Sequence, residues 1–393
     1  MKILVVSQYY NPDPFRLHEA AEGLAAEGHE IVVLTGTPNY VSKESAQNCN
    51  VITKSGRENG VDIIRVPTFR RRGGKISLGI SYISYVATAS FRALLLKKKF
   101  DVILVYQLSP ILMIIPAWIA GKLQKKKIAL YCLDLWPESL VGNGITHKSK
   151  LYNIMRKFSI KAYDSVDYLG YTSRQFEEYF KNDLKLKQKH YAYIPQFAED
   201  IYSSIERVSH DGINYLFAGN IGEAQSVETI VKAAAYTTNP NIKWHIVGDG
   251  SSYHKCKKLA EDLNVTNKVI FYGRKPIEEM PHYYSIADAL IVTLANNKII
   301  SYTLPGKVQS YMASGIPIIA AASGETQDII EEANCGLCCA SEDPKELAKV
   351  ADCMVASNRQ EMGKNAKEYY QRYFTKKQYI EALESLLYRT IQE

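Results

Sequence analysis

Cysteine and histidine are both scarce in this 393-residue chain, and neither is arranged for metal chemistry. The seven cysteines lack the paired spacing of a disulfide framework, which suits a reducing cytoplasm. Cys335 to Cys339 hold one Cys-x-x-Cys, with no second pair and no histidine nearby, so buried strand cysteines fit better than zinc. The eight histidines form no cluster at ligand spacing, and no Ser, His and Asp set forms a nucleophile elbow. No metal site and no resident cofactor is therefore expected. Internal repeats and low-complexity tracts are missing, which excludes solenoids. Met1-Lys2 leads straight into "ILVVSQYY", an apolar run too short for a signal peptide and without a small-residue cleavage site. A cytoplasmic protein is expected.

Acidic residues are thinly spread in the first half. Residues 1–196 carry 28 Lys and Arg against 16 Asp and Glu, a net +12; the remainder carries 20 against 25, a net −5. Basic clusters stand at Arg70-Arg71-Arg72, Lys97-Lys98-Lys99 and Lys125-Lys126-Lys127, and from Lys148 to Lys161. Such a half serves nucleic acid or an anionic membrane surface. The same half also holds apolar, aromatic stretches such as "ISLGISYISYVATASF" (76–91), which favours the membrane surface over nucleic acid. Residues 102–121 carry no charge and are long enough to consider as a span. Pro110 and Pro116 break that run, and a buried strand, a turn and a helix fit it better.

With 46% hydrophobic residues the chain can bury large cores and form two domains. Aliphatic runs alternate with amphipathic helical segments throughout. Seven strand-like runs precede residue 196, from "KILVVS" (2–7) to "HYAYIP" (190–195), and six follow, from "NYLFAG" (214–219) to "GLCCA" (336–340). Near-continuous aliphatic strands joined by helices mean parallel sheets covered on both faces. Two such series predict two doubly wound α/β domains, 1–196 and 197–375, each with ligands beyond the carboxyl ends of its strands. A terminal helix over 376–391 could pack back on the first domain.

Three places carry candidate chemistry. Pro305-Gly306-Lys307 opens a helix that stops at Ser314-Gly315; free N–H groups, the helix dipole and a lysine favour an anion there. An ordinary proline-started, glycine-stopped helix explains the same residues, with Lys307 exposed and of little weight in the fold. Gly219 and Gly222 in "FAGNIGEAQS" end a strand before a helix, where a tight turn brings backbone N–H groups to a phosphate or sugar; packing glycines explain them equally well. "VGDGS" (247–251) reads as a structural strand–helix turn. In "YCLDLWPESL", Asp134 follows a buried strand. Either it caps a helix, with Trp136 as packing, or Asp134 or Glu138 orients or deprotonates a substrate hydroxyl.

These motifs, with "GHEIVVLTGTPNY" (28–40), "QLSPI" (107–111), "FYGRKPIEEMPHYYSIADALIV" (271–292), "LPGKVQSYMASGIPIIAA" (304–321) and "SGETQDIIEEANCGL" (323–337), resemble the retaining glycosyltransferases of family 4, and within them the capsule and O-antigen branch. The resemblance covers nearly the whole chain. It implies the GT-B fold, two Rossmann-like domains facing across a cleft, with a nucleotide-diphosphate sugar in the second and the acceptor in the first. It further implies a UDP-sugar donor, a polyprenyl-diphosphate-linked oligosaccharide as acceptor, and a peripheral place on the inner face of the plasma membrane. Donor contacts carried over are Gly219, Asn220, Gly222, Gln225, Arg274, Lys275, Gly306, Lys307, Ser310 and Glu325; acceptor contacts are Arg16, His18 and Trp136; the catalytic candidates are Asp134 and Glu138. Glu325, at a helix start, is read either as a partner of donor sugar hydroxyls or as a complement to the helix dipole. Without a strong protein nucleophile, the departing phosphate itself can take the acceptor's proton.

The chain departs from the family pattern. Many members carry an arginine and a lysine where this chain has Asn220 and Gln225, and two glutamates where it has Tyr302 and Ser310. The glycine-rich first loop is replaced by Pro12-Asp13-Pro14-Phe15. Lys307, Arg274 and Arg16 are the remaining cationic candidates. No Asp-x-Asp pair occurs, which argues against a metal-dependent transferase. Two rival readings share this fold. A sugar-nucleotide epimerase leaves the charge asymmetry unexplained. A degenerate, non-catalytic partner subunit fits the missing charges, but not the retained Gly219, Lys307 and Asp134 motifs.

Overall fold

A computed structural model of the chain describes residues 1–39, 55–71, 74–142 and 144–392. Arg72 and Tyr40 of the quoted motifs lie outside the described residues. The aliphatic runs become strands and the segments between them helices, arranged in two compact units.

The first unit is built on β1 (Lys2–Val6), β2 (Glu30–Gly36), β3 (Gly56–Glu58), β4 (Val61–Val66), β5 (Val102–Gln107), β6 (Ile128–Cys132), β7 (Tyr168–Tyr171) and β8 (Tyr191–Tyr193). Their order is β3-β4-β2-β1-β5-β6-β7-β8. All pairings are parallel except β3 with β4. β3 escapes a sequence reading because its three residues are polar, with no apolar run to announce an edge strand. The sheet winds outward in both directions from β1 and β5, so the chain reverses direction at their carboxyl ends, where such folds bind ligands.

The uncharged stretch 102–121 resolves into β5, a short 3₁₀ turn at Ile111–Met113 and a helix at Ile114–Gln124. Among the described residues no helix is long and apolar enough to cross a membrane.

The second unit holds β9 (Ile213–Ala218), β10 (Ile242–Val247), β11 (Val269–Gly273), β12 (Ala289–Thr293), β13 (Ile318–Ala321) and β14 (Gly336–Cys339), all parallel, in the order β11-β10-β9-β12-β13-β14. Its switch point lies between β9 and β12. Apolar side chains from both faces of this sheet form two buried clusters, one around Tyr311 and Ile318 and one around Trp244 and Ile246.

The units are not two contiguous stretches. The first comprises Met1–Thr172, Phe176–Ile194 and Ile380–Glu393; the second comprises Ser173–Gln175 and Pro195–Tyr379. Ser173–Gln175 join the second unit because Arg174 and Gln175 hydrogen-bond to Glu325 and Asp328. The final helix, Lys376–Gln392, enters the first unit from Ile380 onward, and Glu384 there meets His29 Nε2 at 2.7 Å.

Candidate active site

In the second unit, β9 runs into a glycine loop at the switch point. Gly219 N–H donates to the Val247 carbonyl at 3.0 Å and Ile221 N–H to the Asp249 carbonyl at 2.9 Å, so the 219–222 loop is laced to the 248–250 turn. A Cβ on Gly248 would stand 1.8 Å from the Gly219 carbonyl oxygen, which makes Gly248 a packing requirement. "VGDGS" is thus the structural turn that fixes the Gly219 loop.

The helix Gly306–Ser314 begins at Pro305 and ends at Gly315. Lys307, expected to be exposed, is not: its Nζ is out of contact with solvent and has no hydrogen-bond partner. It stands 3.8 Å over the Phe217 ring centroid, and a Cβ on Gly219 would lie 3.0 Å from it. Desolvation pushes its pKa down to about 7. A buried donor left unpaired costs about 1–3 kcal/mol. That cost, at a helix start under a glycine loop, is what an anion would relieve.

The other donor candidates fall into two groups. Asn220 is exposed at the loop, Gly222 is buried within it, and the Gln225 backbone carbonyl accepts from Thr293 Oγ1 at the end of β12. Ser310, by contrast, is buried on the helix and donates to Gly306 O at 3.2 Å and to Glu199 Oε2 at 3.3 Å, so it faces protein partners. Glu325 is 1% exposed and accepts from the Arg174 backbone N–H at 3.1 Å and from its Nε at 3.2 Å. Burial pushes its carboxyl pKa up and Arg174 opposes this. The side chain serves an internal ion pair rather than only the helix dipole. Arg274 and Lys275 follow the edge strand β11, two strands from β9. Arg274 is exposed, and Lys275 is held by Tyr283 and Glu279.

In the first unit, Asp134 lies just past β6. It caps no helix; the next element is a 3₁₀ turn at Glu138–Leu140 that starts from Pro137. Its carboxylate accepts from Ser109 Oγ at 2.8 Å, and Ser109 Oγ accepts in turn from Trp136 Nε1 at 3.0 Å. The Asp134 carbonyl accepts from Gln107 Nε2 at 2.9 Å. Burial raises the pKa of the carboxyl, against the lowering effect of its Ser109 hydrogen bonds. Trp136 is only 3% exposed, and its indole Nε1 is spent on Ser109. Glu138 is turned inward, where Tyr152 OH (2.6 Å), Tyr179 OH (3.0 Å) and His147 Nε2 (3.0 Å) surround it. Its oxygens are occupied by protein donors, and it does not share an open site with Asp134. Arg16 and His18 open the helix after β1, with His18 Nδ1 3.0 Å from the Phe15 carbonyl. Among the described residues no group of three His, Cys, Asp or Glu is placed to hold a metal ion.

Comparison with known proteins matches both units. Residues 199–369 fit the profile of the glycosyl transferases group 1 and residues 15–196 that of the glycosyl transferase 4-like domain. The chain belongs to the family-4 glycosyltransferases. Among this glycosyltransferase's relatives, one from Escherichia coli K12, described as the colanic acid biosynthesis glycosyl transferase WcaI, is 23% identical over 83% of this chain and 84% of that protein. The glycosyltransferase WbjE of Pseudomonas aeruginosa is 27% identical over 58% of this chain, a match spanning 59% of its own length. The HepE protein of Anabaena, solved in complex with UDP, superposes with a TM-score of 0.73 at 13% identity over 99% of this chain and all of that one, and shows the same GT-B fold.

Polar contacts that pattern reading passes over also gather near these candidates. Ser109 and Gln107 position Asp134 across neighbouring strands, a pairing no local motif records. Arg65, a lone cation in the aliphatic strand β4, sends Nη1 to the Gly36 carbonyl at 3.2 Å and Nη2 to the Asn11 carbonyl. Asp13 Oδ1 accepts from the Asn39 backbone N–H at 2.9 Å, so a polar cluster closes the carboxyl ends of β1, β2 and β4. The signal for Arg65 was present: a charge inside a buried strand needs partners.

Proposed function

We propose that this glycosyltransferase moves a sugar, with retention of configuration, from a nucleotide-diphosphate sugar, a UDP-sugar, to a polyprenyl-diphosphate-linked oligosaccharide. The work belongs to capsule or O-antigen assembly, on the cytoplasmic face of an anionic membrane. The observation that carries the donor assignment is the buried, unpartnered Lys307 amine beneath Gly219 at the start of the Gly306–Ser314 helix. The diphosphate would take the helix N–H groups and the Lys307 charge together. HepE, described with UDP, supports a uridine donor. WcaI, described in colanic acid biosynthesis, supports a surface-polysaccharide acceptor.

Asp134, aligned by Ser109, accepts a hydrogen bond from the acceptor hydroxyl, while the departing diphosphate takes the proton. Charge then grows on the leaving group, and a cation at Lys307 stabilises the transition state more than the bound donor. The missing Asp-x-Asp pair supports a metal-independent route. The test is calorimetric binding of UDP and GDP to the wild type and to Lys307→Ala, with transfer of labelled sugar to extracted lipid as the activity assay. Tighter UDP binding that Lys307→Ala weakens is the expected result. Equal affinities in the two proteins would remove the diphosphate from this helix.

A further inference from the structure

The helix Lys75–Leu94 is amphipathic the wrong way round for a helix that only packs on its sheet. Its core face is partly polar: Ser81, Tyr85, Ala89 and Ala93 are buried, and Tyr85 OH donates to the Leu34 carbonyl at 3.1 Å. The opposite face carries Ile76 (81% exposed), Ile80, Ile83 (66%), Phe91 and Leu94, with Ala87 exposed between them. At about 100° per residue these positions fall within roughly 80° of arc, centred opposite Tyr85. They run the whole 20-residue helix, about 30 Å. Phe69, also exposed, lies alongside, its backbone N–H bonded to Ser84 Oγ at 2.9 Å. Among the described residues no side chain covers the stripe. A continuous exposed apolar surface of this length is not ordinary surface scatter.

What borders the stripe selects its partner. Residues 63–133 contain 13 Lys and Arg and a single acid, Asp101, whose carboxylate accepts from the Lys2 backbone N–H. Lys75 stands at one end of the stripe and Lys97 and Lys99 just beyond the other, all exposed, while Lys98 between them pairs with Asp62. An apolar stripe flanked by cations at both ends matches an interface of acyl chains beneath anionic headgroups. Nucleic acid would leave the apolar residues in water, and a second copy of this surface would bring like charges together.

We propose that the Lys75–Leu94 helix lies in the plane of an anionic phospholipid bilayer, with Ile76, Ile80, Ile83, Phe91 and Leu94 inserted at the level of the acyl chains. This rests on the lipid-linked acceptor proposed above, and adds that apolar insertion, not charge alone, holds the enzyme on the membrane.

The experiment uses the full chain with vesicles of phosphatidylcholine, with and without phosphatidylglycerol. Ile76→Glu with Ile83→Glu changes two of the most exposed positions, so folding and UDP binding stay as in wild type. This double variant is expected to lose at least about tenfold in partitioning to phosphatidylglycerol vesicles, at low and high salt alike. Lys97→Gln with Lys99→Gln should lose binding mainly at low salt. In Phe91→Trp, the added fluorescence should shift to the blue on binding and be quenched by lipids brominated on the acyl chain. Undiminished binding of the double glutamate variant would overturn the proposal and leave a purely electrostatic dock. Absence of quenching would overturn it equally. Lipid-free dimerisation of the wild type, abolished by the two glutamates, would reassign the stripe to a contact between copies. UDP binding reports on the transferase reading independently of all three.

Discussion

The Lys307 ammonium lies 3.8 Å above the centre of the Phe217 ring, with no hydrogen-bond acceptor of its own. A cation–π contact offsets part of the desolvation, contributing on the order of 2 kcal/mol when desolvated. The balance still brings the pKa down to about 7, where the charged and neutral forms of the amine lie close in free energy near neutrality.

Replacement of Lys307 by Ala is therefore expected to weaken UDP binding by about 2–4 kcal/mol and to cut turnover further. Stability should hold or rise, since the variant removes a buried, unpaired donor. Titration calorimetry and a thermal melt read the two effects separately. A clear loss of stability would show that the amine has a structural partner.

A pH dependence follows with a definite sign. The folded pKa of Lys307 is depressed to about 7 from the ordinary lysine value of 10.5. Between those values the unfolded chain binds the proton and the folded chain does not, so stability rises as pH increases through that window. Across it, each pH unit adds about 1.4 kcal/mol at full effect. The difference in melting temperature between wild type and Lys307→Met should grow in favour of wild type from pH 7 towards pH 10. Diphosphate binding favours the charged form, so near and above neutrality it should take up a proton. Calorimetry in buffers of different ionisation enthalpy measures that uptake, which Lys307→Met should abolish.

For Asp134, substitution by Asn should lower turnover by about 10²-fold or more and leave UDP affinity unchanged. Burial raises its pKa, so the acid limb of the pH–rate profile should lie above the usual carboxylate range. Ser109→Ala removes a hydrogen bond that lowers that pKa, and should move the limb to higher pH still. An unmoved limb would leave Ser109 with a packing role only.

Glu138 behaves differently. Its removal as Glu138→Ala strands the hydroxyls of Tyr152 and Tyr179 and should cost on the order of 2–4 kcal/mol of stability. UDP affinity should not change, because the cluster belongs to the first unit. Chemical denaturation and calorimetry together check this.

Arg174→Ala should destabilise the second unit by about 1.5–3 kcal/mol, the range for hydrogen bonds to a charged group. Glu325 remains buried once its partner is gone. The double variant with Glu325→Gln should recover part of the loss, which a melting series over the single and double variants would show.

The strands were legible because a buried parallel strand is mostly apolar along its length, and thirteen mainly apolar or aromatic runs marked them. β3 was not, because an antiparallel edge of three polar residues writes no such pattern. The helix start at Pro305 and its stop at Gly315 were legible in local chemistry. The burial of Lys307 was not, since it depends on Phe217 and Gly219, some ninety residues earlier. Asp134 drew notice by its place after a strand; of its two readings the helix cap gave way to a hydrogen bond from Ser109 on the neighbouring strand end. Glu199, Arg174 and Ser109 act through partners at sequence separations of 25 to 151 residues, and a single sequence carries no record of such pairings.

The membership of Ser173–Gln175 in the second unit bears on how such enzymes can be recombined. The chain passes between its units at 172–173, 175–176, 194–195 and 379–380. A graft that exchanged residues 195–379 for those of another transferase would import a new donor-side body but keep the old Arg174. The incoming chain would then carry a carboxylate at the place of Glu325 with a foreign cation beside it, or none. A chimera that also transplants 173–175 keeps the pair intact. Modular exchange in this chain therefore needs two inserts, one of them only three residues long.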